Sequence, residues 1–195
     1  MPSFDELEKF AHHHHVPIMQ RSGIEFILEL IQVQGYTRIL ELGTAIGYSA
    51  IRMASLSEEI VVDTIENDPE RAALARKNIF QRHLDSRIHL YEMDIMTFFP
   101  DSCYDLIFVD AAKAQYRRYM ERFCPFLAEG GVFVFDNLNF HGMVDNPELT
   151  ENKGTRAMIR KLRDFREFLA TDKSCLTQFY PEVGDGVAVV SLIRK

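Results

Sequence analysis

Three oxygen-bearing side chains directly follow two apolar runs of the sequence. Asp110 comes after Leu106–Val109, and Asp136 and Asn137 come after Val132–Phe135. If both runs are parallel strands, their carboxyl ends meet at one edge of a sheet, where doubly wound folds bind ligands. Carboxylate and amide oxygens without nearby His or Cys suit Mg²⁺ or Ca²⁺ better than zinc or copper. The alternative is that each Asp only caps the segment that follows it.

Lys113 lies three residues after Asp110, within reach of the same sheet edge. A lysine in water is protonated at neutral pH, so Lys113 acts as a base only if a nearby cation or burial favours its neutral form. Otherwise it is a cation that holds an anionic oxygen, or an ordinary surface lysine.

A glycine loop, Gly43–Gly47, joins the apolar run Thr37–Leu42 to a helix that begins at Tyr48. Glycine lets a backbone approach a ligand at a helix N-terminus. The G-x-x-x-G spacing matches neither the dinucleotide fingerprint nor the P-loop, which disfavours NAD and ATP. Glu66 ends the next apolar run, about 20 residues downstream, where an acid meets the hydroxyls of a ribose. Taken alone, the loop is equally explained as a plain turn.

A third contact is expected after the run Ile88–Tyr91. There the carboxylate of Asp94 can accept a hydrogen bond from an adenine amino group, and Ile95 can cover the ring. The alternative is that Asp94 caps a short helix before Pro100.

Apolar runs that alternate with helical patterns predict a parallel sheet covered by helices on both faces. The predicted strands are Thr37–Leu42, Ile60–Ile65, Ile88–Tyr91, Leu106–Val109 and Val132–Phe135. The helices between them are Tyr48–Leu56, Pro69 to about His83, and Gln115–Leu127.

Two helices are predicted before this pattern. Ser3 and Glu6 form a capping box for a helix to about His14. Pro17 suits the first turn of a second helix, which Gly35 ends.

The last third of the chain has a different pattern. A basic helix, about Thr155 to Ala170, precedes two strands, Leu176–Tyr180 and Val187–Ile193. The connection between these strands is too short for a helical crossover, so the closing pair is antiparallel.

The composition fits one soluble domain. Its 195 residues are 47% apolar and 26% charged, enough for a core that needs neither disulfides nor a structural metal. A net charge of −7 excludes a uniformly basic nucleic-acid-binding surface but allows a local basic patch. Three cysteines without a CxxC pair, no signal peptide and no membrane-length apolar run indicate a cytoplasmic protein that contacts no membrane.

Taken together, these motifs resemble the metal-dependent O-methyltransferases of the catechol and caffeoyl-CoA type. The matching segments are Glu41–Ser49, Ile65-Glu66, Asp110–Lys113, Asp136-Asn137 and Gly184–Gly186. The resemblance implies the class I methyltransferase form of the doubly wound, Rossmann-like α/β fold. We expect a seven-stranded, mostly parallel sheet with a C-terminal antiparallel hairpin. Residues 1–195 form one domain, with N-terminal helices in 1–35 and the catalytic core in 36–195.

The resemblance also assigns site residues. Those implied to bind S-adenosylmethionine are Met19, Gly43, Tyr48, Ser49, Glu66, Asp94, Ile95 and Asp110. Asp110, Asp136 and Asn137 are implied to hold Mg²⁺. Lys113 matches the lysine usually assigned as the base, with Asp110 as its catalytic neighbour.

Within that family the sequence most closely resembles bacterial tRNA 5-hydroxyuridine methyltransferases, through His14–Met19, the glycine loop and Asp110–Lys113. The implied reaction methylates 5-hydroxyuridine at the tRNA wobble position and gives 5-methoxyuridine. The partner is then the anticodon region of tRNA, and the family implies a homodimer. The alternatives are a small-molecule catechol-type O-methyltransferase and a non-catalytic cofactor- or RNA-binding protein.

Two further observations bear on the substrate. Catechol enzymes place an acid six residues before the Asp of their final Asp-Gly turn, but here that position is Phe179, which argues against catechol. Basic residues are concentrated late in the chain, where they favour phosphate contacts. These residues are Lys153, Arg156, Arg160, Lys161, Arg163, Arg166 and Lys173, with Arg117, Arg118 and Arg122 in a second stretch. The alternative is a solvated helix face.

Overall fold

The computed structural model describes residues 3–193 of the chain, in which helices and strands alternate. The helices are α1 (Phe4–His13), α2 (Arg21–Gln34), α3 (Tyr48–Ala54), α4 (Pro69–Phe80), α5 (Tyr116–Phe123) and α6 (Lys153–Thr171). The strands are β1 (Arg38–Leu42), β2 (Val61–Glu66), β3 (Ile88–Glu92), β4 (Tyr104–Val109), β5 (Leu127–Phe135), β6 (Cys175–Tyr180) and β7 (Val187–Leu192). Among these residues, no helix combines the length and apolar character that crossing a membrane requires.

All seven strands form one sheet in the order β3-β2-β1-β4-β5-β7-β6. Strands β1 to β5 are parallel, and β7 runs antiparallel to both β5 and β6. Leu42 lies opposite Ile65 and Val109, and Val109 lies opposite Phe135. The strand order reverses between β1 and β4, so the residues after these strands meet at the switch point where such folds bind ligands. The predicted fold class is confirmed.

Each face of the sheet carries its own apolar layer. On one face, α2 and α3 bury residues such as Ile27 and Ile51 against β1 and β2. On the other face, α5 and α6 pack on β4 and β5, where the Phe165 ring lies 4.8 Å from that of Phe135. Burial on both faces explains why strands β1, β4 and β5 are almost continuously apolar.

The prediction that Pro17 begins the second helix is wrong. The helix begins at Arg21, and the four residues before it have no regular structure. Met19 in this segment is buried and packs against α2, where a Cβ at Gly23 would lie only 2.7 Å from the Met19 Cε atom. Tertiary packing of Met19 therefore outweighs the preference of proline for a first helical turn.

The helix predicted over Gln115–Leu127 is also too long. Regular α-helix covers only Tyr116–Phe123, and a 3₁₀ turn that contains Pro125 follows it. Proline cannot donate the backbone hydrogen bond that would continue the helix. Leu127 instead begins β5, which is longer at its start than the predicted Val132–Phe135 because Leu127 pairs with β4. The capping box of α1 is confirmed.

Candidate active site

A cavity of about 350 Å³ opens at the carboxyl edge of the sheet, beside the switch point between β1 and β4. All eight residues predicted to bind the cofactor line it, namely Met19, Gly43, Tyr48, Ser49, Glu66, Asp94, Ile95 and Asp110. Lys113 lines it as well. The fold therefore gathers residues that are spread over most of the chain into one site.

The glycine loop forms one wall of this cavity. Gly43 has φ +104°, and a Cβ there would collide with the backbone carbonyl of Asp110. The amides of Gly43 and Thr44 donate to the carbonyl oxygen of Ile65, at 3.1 and 3.2 Å. Gly47, with φ +82°, turns the chain into α3. Glycine is required at residue 43 because two backbone segments approach each other there.

Glu66 is buried and held by backbone amides at the end of β2. Its Oε2 accepts a hydrogen bond from the Ala45 amide at 2.8 Å, and its Oε1 accepts from the amides of Asn67 and Asp68 at 3.0 Å. Oε2 accepts only one of these bonds and has a further lone pair, so Glu66 can still accept from a ligand hydroxyl. Its role in binding ribose stays a prediction, and its position in the cavity wall agrees with that role.

Asp94 does cap a short helix, as the alternative interpretation expects. Its carboxylate accepts from the Met96 amide at 2.7 Å at the start of a 3₁₀ turn over Ile95–Thr97. Because Asp94 and Ile95 also line the cavity, the cap and the predicted adenine contact are compatible.

A buried carboxylate that the sequence analysis does not single out lies beneath this wall. Glu41 is fully buried in β1, and its two oxygens accept from the hydroxyls of Ser49 and Thr64. Thr44 of the glycine loop extends the chain of hydroxyls, 2.6 Å from that of Thr64. Burial raises the pKa of Glu41 to about 7, although both hydrogen bonds lower it. The sequence does indicate this network, because Glu41 is an acidic residue within the otherwise apolar end of β1.

Asp136 is buried at the end of β5 without such partners. Among the described residues, neither of its carboxylate oxygens has a hydrogen-bond partner. Burial raises the pKa of Asp136, and the nearby carboxylate of Asp110 raises it further. The hydroxyl of Tyr116 donates to the backbone carbonyl of Asp136 at 3.0 Å, a contact that fixes the main chain and not the carboxylate.

A bound cation fits this arrangement. A buried carboxylate without a partner is costly unless a charge or a proton compensates it. No group of three or more His, Cys, Asp or Glu in residues 3–193 forms a metal cluster by itself. The predicted set of Asp110, Asp136 and Asn137 contains only two acids, and hard oxygen donors of this kind suit Mg²⁺. The assignment of these three residues to Mg²⁺ remains a prediction.

Lys113 contacts the same acidic group. Its Nζ donates to Asp110 Oδ1 at 2.9 Å, and both side chains are about four-fifths buried. This contact confirms that Lys113 reaches the cavity and fixes its nitrogen at the Asp110 end.

The turn that joins β6 and β7 closes the site near Asp136. A Cβ at Gly184 would lie 3.7 Å from Asp136 Oδ1, and the Gly184 amide donates to Ser22 of α2 at 3.2 Å. The buried carboxylate of Asp185 accepts from the backbone amide of His141 at 2.8 and 2.9 Å. The Gly-Asp-Gly turn therefore anchors both α2 and the loop that follows Asn137.

Comparisons with known proteins agree with this geometry. A family model described as O-methyltransferase matches residues 1–194. The chain belongs to this O-methyltransferase family. It is 32% identical over 176 residues to a catechol O-methyltransferase of Niastella koreensis, covering 85% of the chain and 77% of that protein. It is also 27% identical over 199 residues to a caffeoyl-CoA O-methyltransferase of Stellaria longipes, covering 93% and 80%.

Solved structures show the same fold. A Staphylococcus aureus protein described as a caffeoyl-CoA O-methyltransferase is 34% identical to this O-methyltransferase, with a TM-score of 0.92. That match covers 96% of the chain and 91% of the S. aureus protein. The resemblance to the catechol and caffeoyl-CoA type is thus confirmed. The finer resemblance to tRNA enzymes stays a prediction.

The basic patch predicted for this O-methyltransferase is smaller than the sequence suggests. Arg156 donates to the Thr150 carbonyl at 2.7 Å, Arg163 to the Val144 carbonyl at 2.6 Å, and Arg166 to Asp145 at 3.0 Å. These arginines fasten loop 139–152 to α6. In the second stretch, Arg117 pairs with Glu121, Arg118 with Gln115, and Arg122 with the Phe98 carbonyl. Within residues 3–193, the basic side chains without an ion pair or hydrogen bond include Lys153, Arg160, Lys161 and Lys173.

Three further residues line the cavity without belonging to a motif recognised in the sequence, namely Asn67, Arg71 and Tyr119. Arg71 lies in the first turn of α4, and its position in the sequence does not indicate that it lines a binding site. Tyr119 lies one helical turn after the buried Tyr116, so the periodicity of α5 places it on the inner face.

Proposed function

We propose that this O-methyltransferase transfers a methyl group from S-adenosylmethionine to a hydroxyl of a substrate that carries two adjacent oxygens. The observation that carries the proposal is the buried carboxylate of Asp136, whose oxygens have no partner among the described residues. In a family of O-methyltransferases, such a carboxylate beside Asp110 and Asn137 is suited to hold Mg²⁺. When bound, S-adenosylmethionine supplies the methyl group, and Mg²⁺ lowers the pKa of the acceptor hydroxyl.

The residues of the chain bind the cofactor, handle the proton and position the acceptor oxygen. The glycine loop and Glu66 hold the nucleoside part of the cofactor, and Asp94 and Ile95 frame its adenine. Lys113, fixed by Asp110 at 2.9 Å, receives the hydroxyl proton or holds the resulting anionic oxygen. The walls of the cavity set the acceptor oxygen in line with the methyl carbon, which converts an encounter of two molecules into a positioned reaction.

As the substrate we propose 5-hydroxyuridine at the wobble position of tRNA, with 5-methoxyuridine as the product. The hydroxyl and the adjacent carbonyl of the uracil ring provide the two oxygens. Three observations support this choice. Pro17, Ile18 and Met19, from the segment that resembles the tRNA enzymes, line the cavity. Phe179 replaces the acid of the catechol enzymes, and Arg160 and Lys161 leave exposed positive charge on α6.

A small catechol-type phenol is the second candidate substrate. The 32% identity to a catechol O-methyltransferase favours it. The same oxygen ligands would serve any ring with neighbouring oxygens, so the reaction chemistry does not separate the two candidates.

Methyl transfer to two acceptors tests the proposal. Purified protein with S-adenosylmethionine and Mg²⁺ is incubated with catechol or with an anticodon stem–loop RNA that carries 5-hydroxyuridine, and products are identified by mass spectrometry. We expect 5-methoxyuridine in the RNA and little methylated catechol. Methylated catechol with unchanged RNA would establish the second candidate instead.

A further inference from the structure

A second cavity, of about 550 Å³, lies between α6, strand β6 and loop 139–152. Val144 and Pro147 of the loop, Arg163 and Arg166 of α6, and Phe179 of β6 line it. Its volume lies in the range of about 300–1,000 Å³ that small-ligand sites occupy. None of these residues lines the cavity of the candidate active site.

Phe179 gives this cavity an exposed aromatic wall. Side chains two residues apart on a strand point to the same face, so Phe179 shares the α6 side of β6 with Cys175. Cys175 is buried in the α6 core, whereas 40% of the Phe179 surface remains exposed. An aromatic side chain with so much free surface can accept a planar ring.

The two arginines are held in place and retain free donors. Arg163 uses Nε and Nη2 to bond the Val144 carbonyl, and Arg166 uses Nη1 to bond Asp145. Among the described residues, Nη1 of Arg163 and Nη2 of Arg166 donate no hydrogen bond. Asp145 and Glu167 also border the cavity, but Asp145 is paired with Arg166. Arg160 lies three residues before Arg163 on α6 and is exposed.

The register of the sheet places this cavity close to the candidate active site. Ala188 of β7 pairs with Phe135, which precedes Asp136, and also with Phe179. Loop 139–152 begins two residues after Asn137, and its His141 amide is held by the carboxylate of Asp185. Val144 and Pro147 of this loop form a wall of the cavity.

We propose that this second cavity binds the nucleotide next to the one that is methylated. Its base stacks on Phe179, and its phosphate faces Arg163 and Arg166. Stacking on aromatic rings beside arginine is a common way to bind single-stranded RNA. The inference rests on the proposed RNA substrate, because a catechol has no neighbouring nucleotide to place there.

The test compares acceptors with and without a neighbouring nucleotide. Initial rates of Phe179→Ala and the wild type are measured on a stem–loop RNA with 5-hydroxyuridine and on the free nucleoside 5-hydroxyuridine. Leu176→Ala is the matched control, since Leu176 is 59% exposed on the same strand but does not line the cavity. Phe179→Trp retains an aromatic surface. A binding assay with the unmodified stem–loop measures affinity without any reaction.

We expect Phe179→Ala to lower kcat/KM on the RNA, and affinity for the unmodified stem–loop, by about 5- to 150-fold, the range for one stacked base. Its turnover of the nucleoside should equal that of the wild type, and Phe179→Trp should restore RNA turnover. If the wild type methylates the RNA but Phe179→Ala behaves like Leu176→Ala, the inference is wrong and the proposed function stands. If the wild type methylates catechol and neither binds nor methylates RNA, the inference and the proposed RNA substrate are both wrong.

Discussion

Two buried carboxylates lie at the carboxyl ends of strands β1 and β5, on either side of β4, and they differ in what surrounds them. Glu41, on the cofactor side, accepts hydrogen bonds from two hydroxyls of the protein. Asp136, on the acceptor side, accepts none among the described residues. Positive φ does not separate the two sides, because non-glycine residues adopt it at Ala45 in the glycine loop and at Asn137, Phe140 and His141 after β5.

The difference indicates that the protein itself supplies the hydrogen bonds on the cofactor side, around Glu41 and Glu66, but not on the acceptor side, around Asp136. Glu41 and Glu66 are satisfied from within, so they shape a preformed wall. Asp136 carries the cost of a buried carboxylate without a partner among the described residues. Such costs persist where ligand binding or catalysis requires them. The acceptor side is therefore expected to need a cation for its completion, and the cofactor side is not.

Removing the charge of Asp136 should have the largest effect. We expect Asp136→Asn to lower the rate of methyl transfer by about 1,000-fold, because a bound metal contributes several kcal/mol to charge stabilisation. Initial rates in Mg²⁺ measure this effect, with Asp85→Asn as an exposed acidic control that lines neither cavity. In EDTA, Asp136→Asn should unfold at the same urea concentration as the wild type or a higher one. A large loss of stability would instead show that the Asp136 carboxylate supports the fold.

Lys113 tests the other polar group of the acceptor side. Lys113→Met should lower kcat by about 100- to 1,000-fold, since it removes the base or the cation that holds the anionic oxygen. The KM for S-adenosylmethionine should change little. A pH profile that keeps its wild-type shape and height in Lys113→Met would exclude both roles.

Glu41 tests the cofactor side, where we expect a loss of stability. Glu41→Ala leaves the hydroxyls of Ser49 and Thr64 without their acceptor and should lower the free energy of unfolding by about 1–3 kcal/mol. Glu41→Gln should cost less, because an amide can accept from one hydroxyl and donate to the other. Urea unfolding of both variants measures the difference. Equal stability of Glu41→Ala and the wild type would show that the hydrogen bonds of Glu41 do not stabilise the fold.

The pH dependence of Glu41 has a definite sign. Its pKa is raised by burial from 4.5 to about 7, so the folded protein binds a proton that the unfolded chain releases. The contribution of Glu41 to stability therefore falls as pH rises from 4.5 to about 7. In the same urea experiments, Glu41→Gln should gain stability relative to the wild type across this window.

The smallest effect is expected from the exposed basic residues of α6. Replacing Arg160 and Lys161 together by Gln should weaken binding of a stem–loop RNA by about 3- to 10-fold at low salt, because two phosphate contacts are lost. The deficit should shrink as salt increases. Arg163→Gln is the contrasting variant, because Arg163 also fastens loop 139–152. An RNA affinity that neither variant changes would remove α6 from the RNA-binding surface.

The sequence predicts most of the fold because the parallel strands are apolar on both faces and glycine marks their turns. The site residues are predictable for a related reason, since they follow strand ends that the fold must gather. Met19 shows the limit, because burial against Gly23 overrides the helical preference of Pro17. The arginines of α6 show another limit. The number of charged residues does not reveal that two N–H groups of Arg163 donate to the backbone carbonyl of Val144.

The most direct test of the account is the metal dependence of methyl transfer to the hydroxylated stem–loop RNA. The initial rate of the wild type is measured in Mg²⁺, after chelation with EDTA, and after Mg²⁺ is restored. We expect EDTA to abolish the rate, Mg²⁺ to restore it, and Asp136→Asn to keep its low rate under all three conditions. A wild-type rate that is the same in EDTA and in Mg²⁺ would contradict the account.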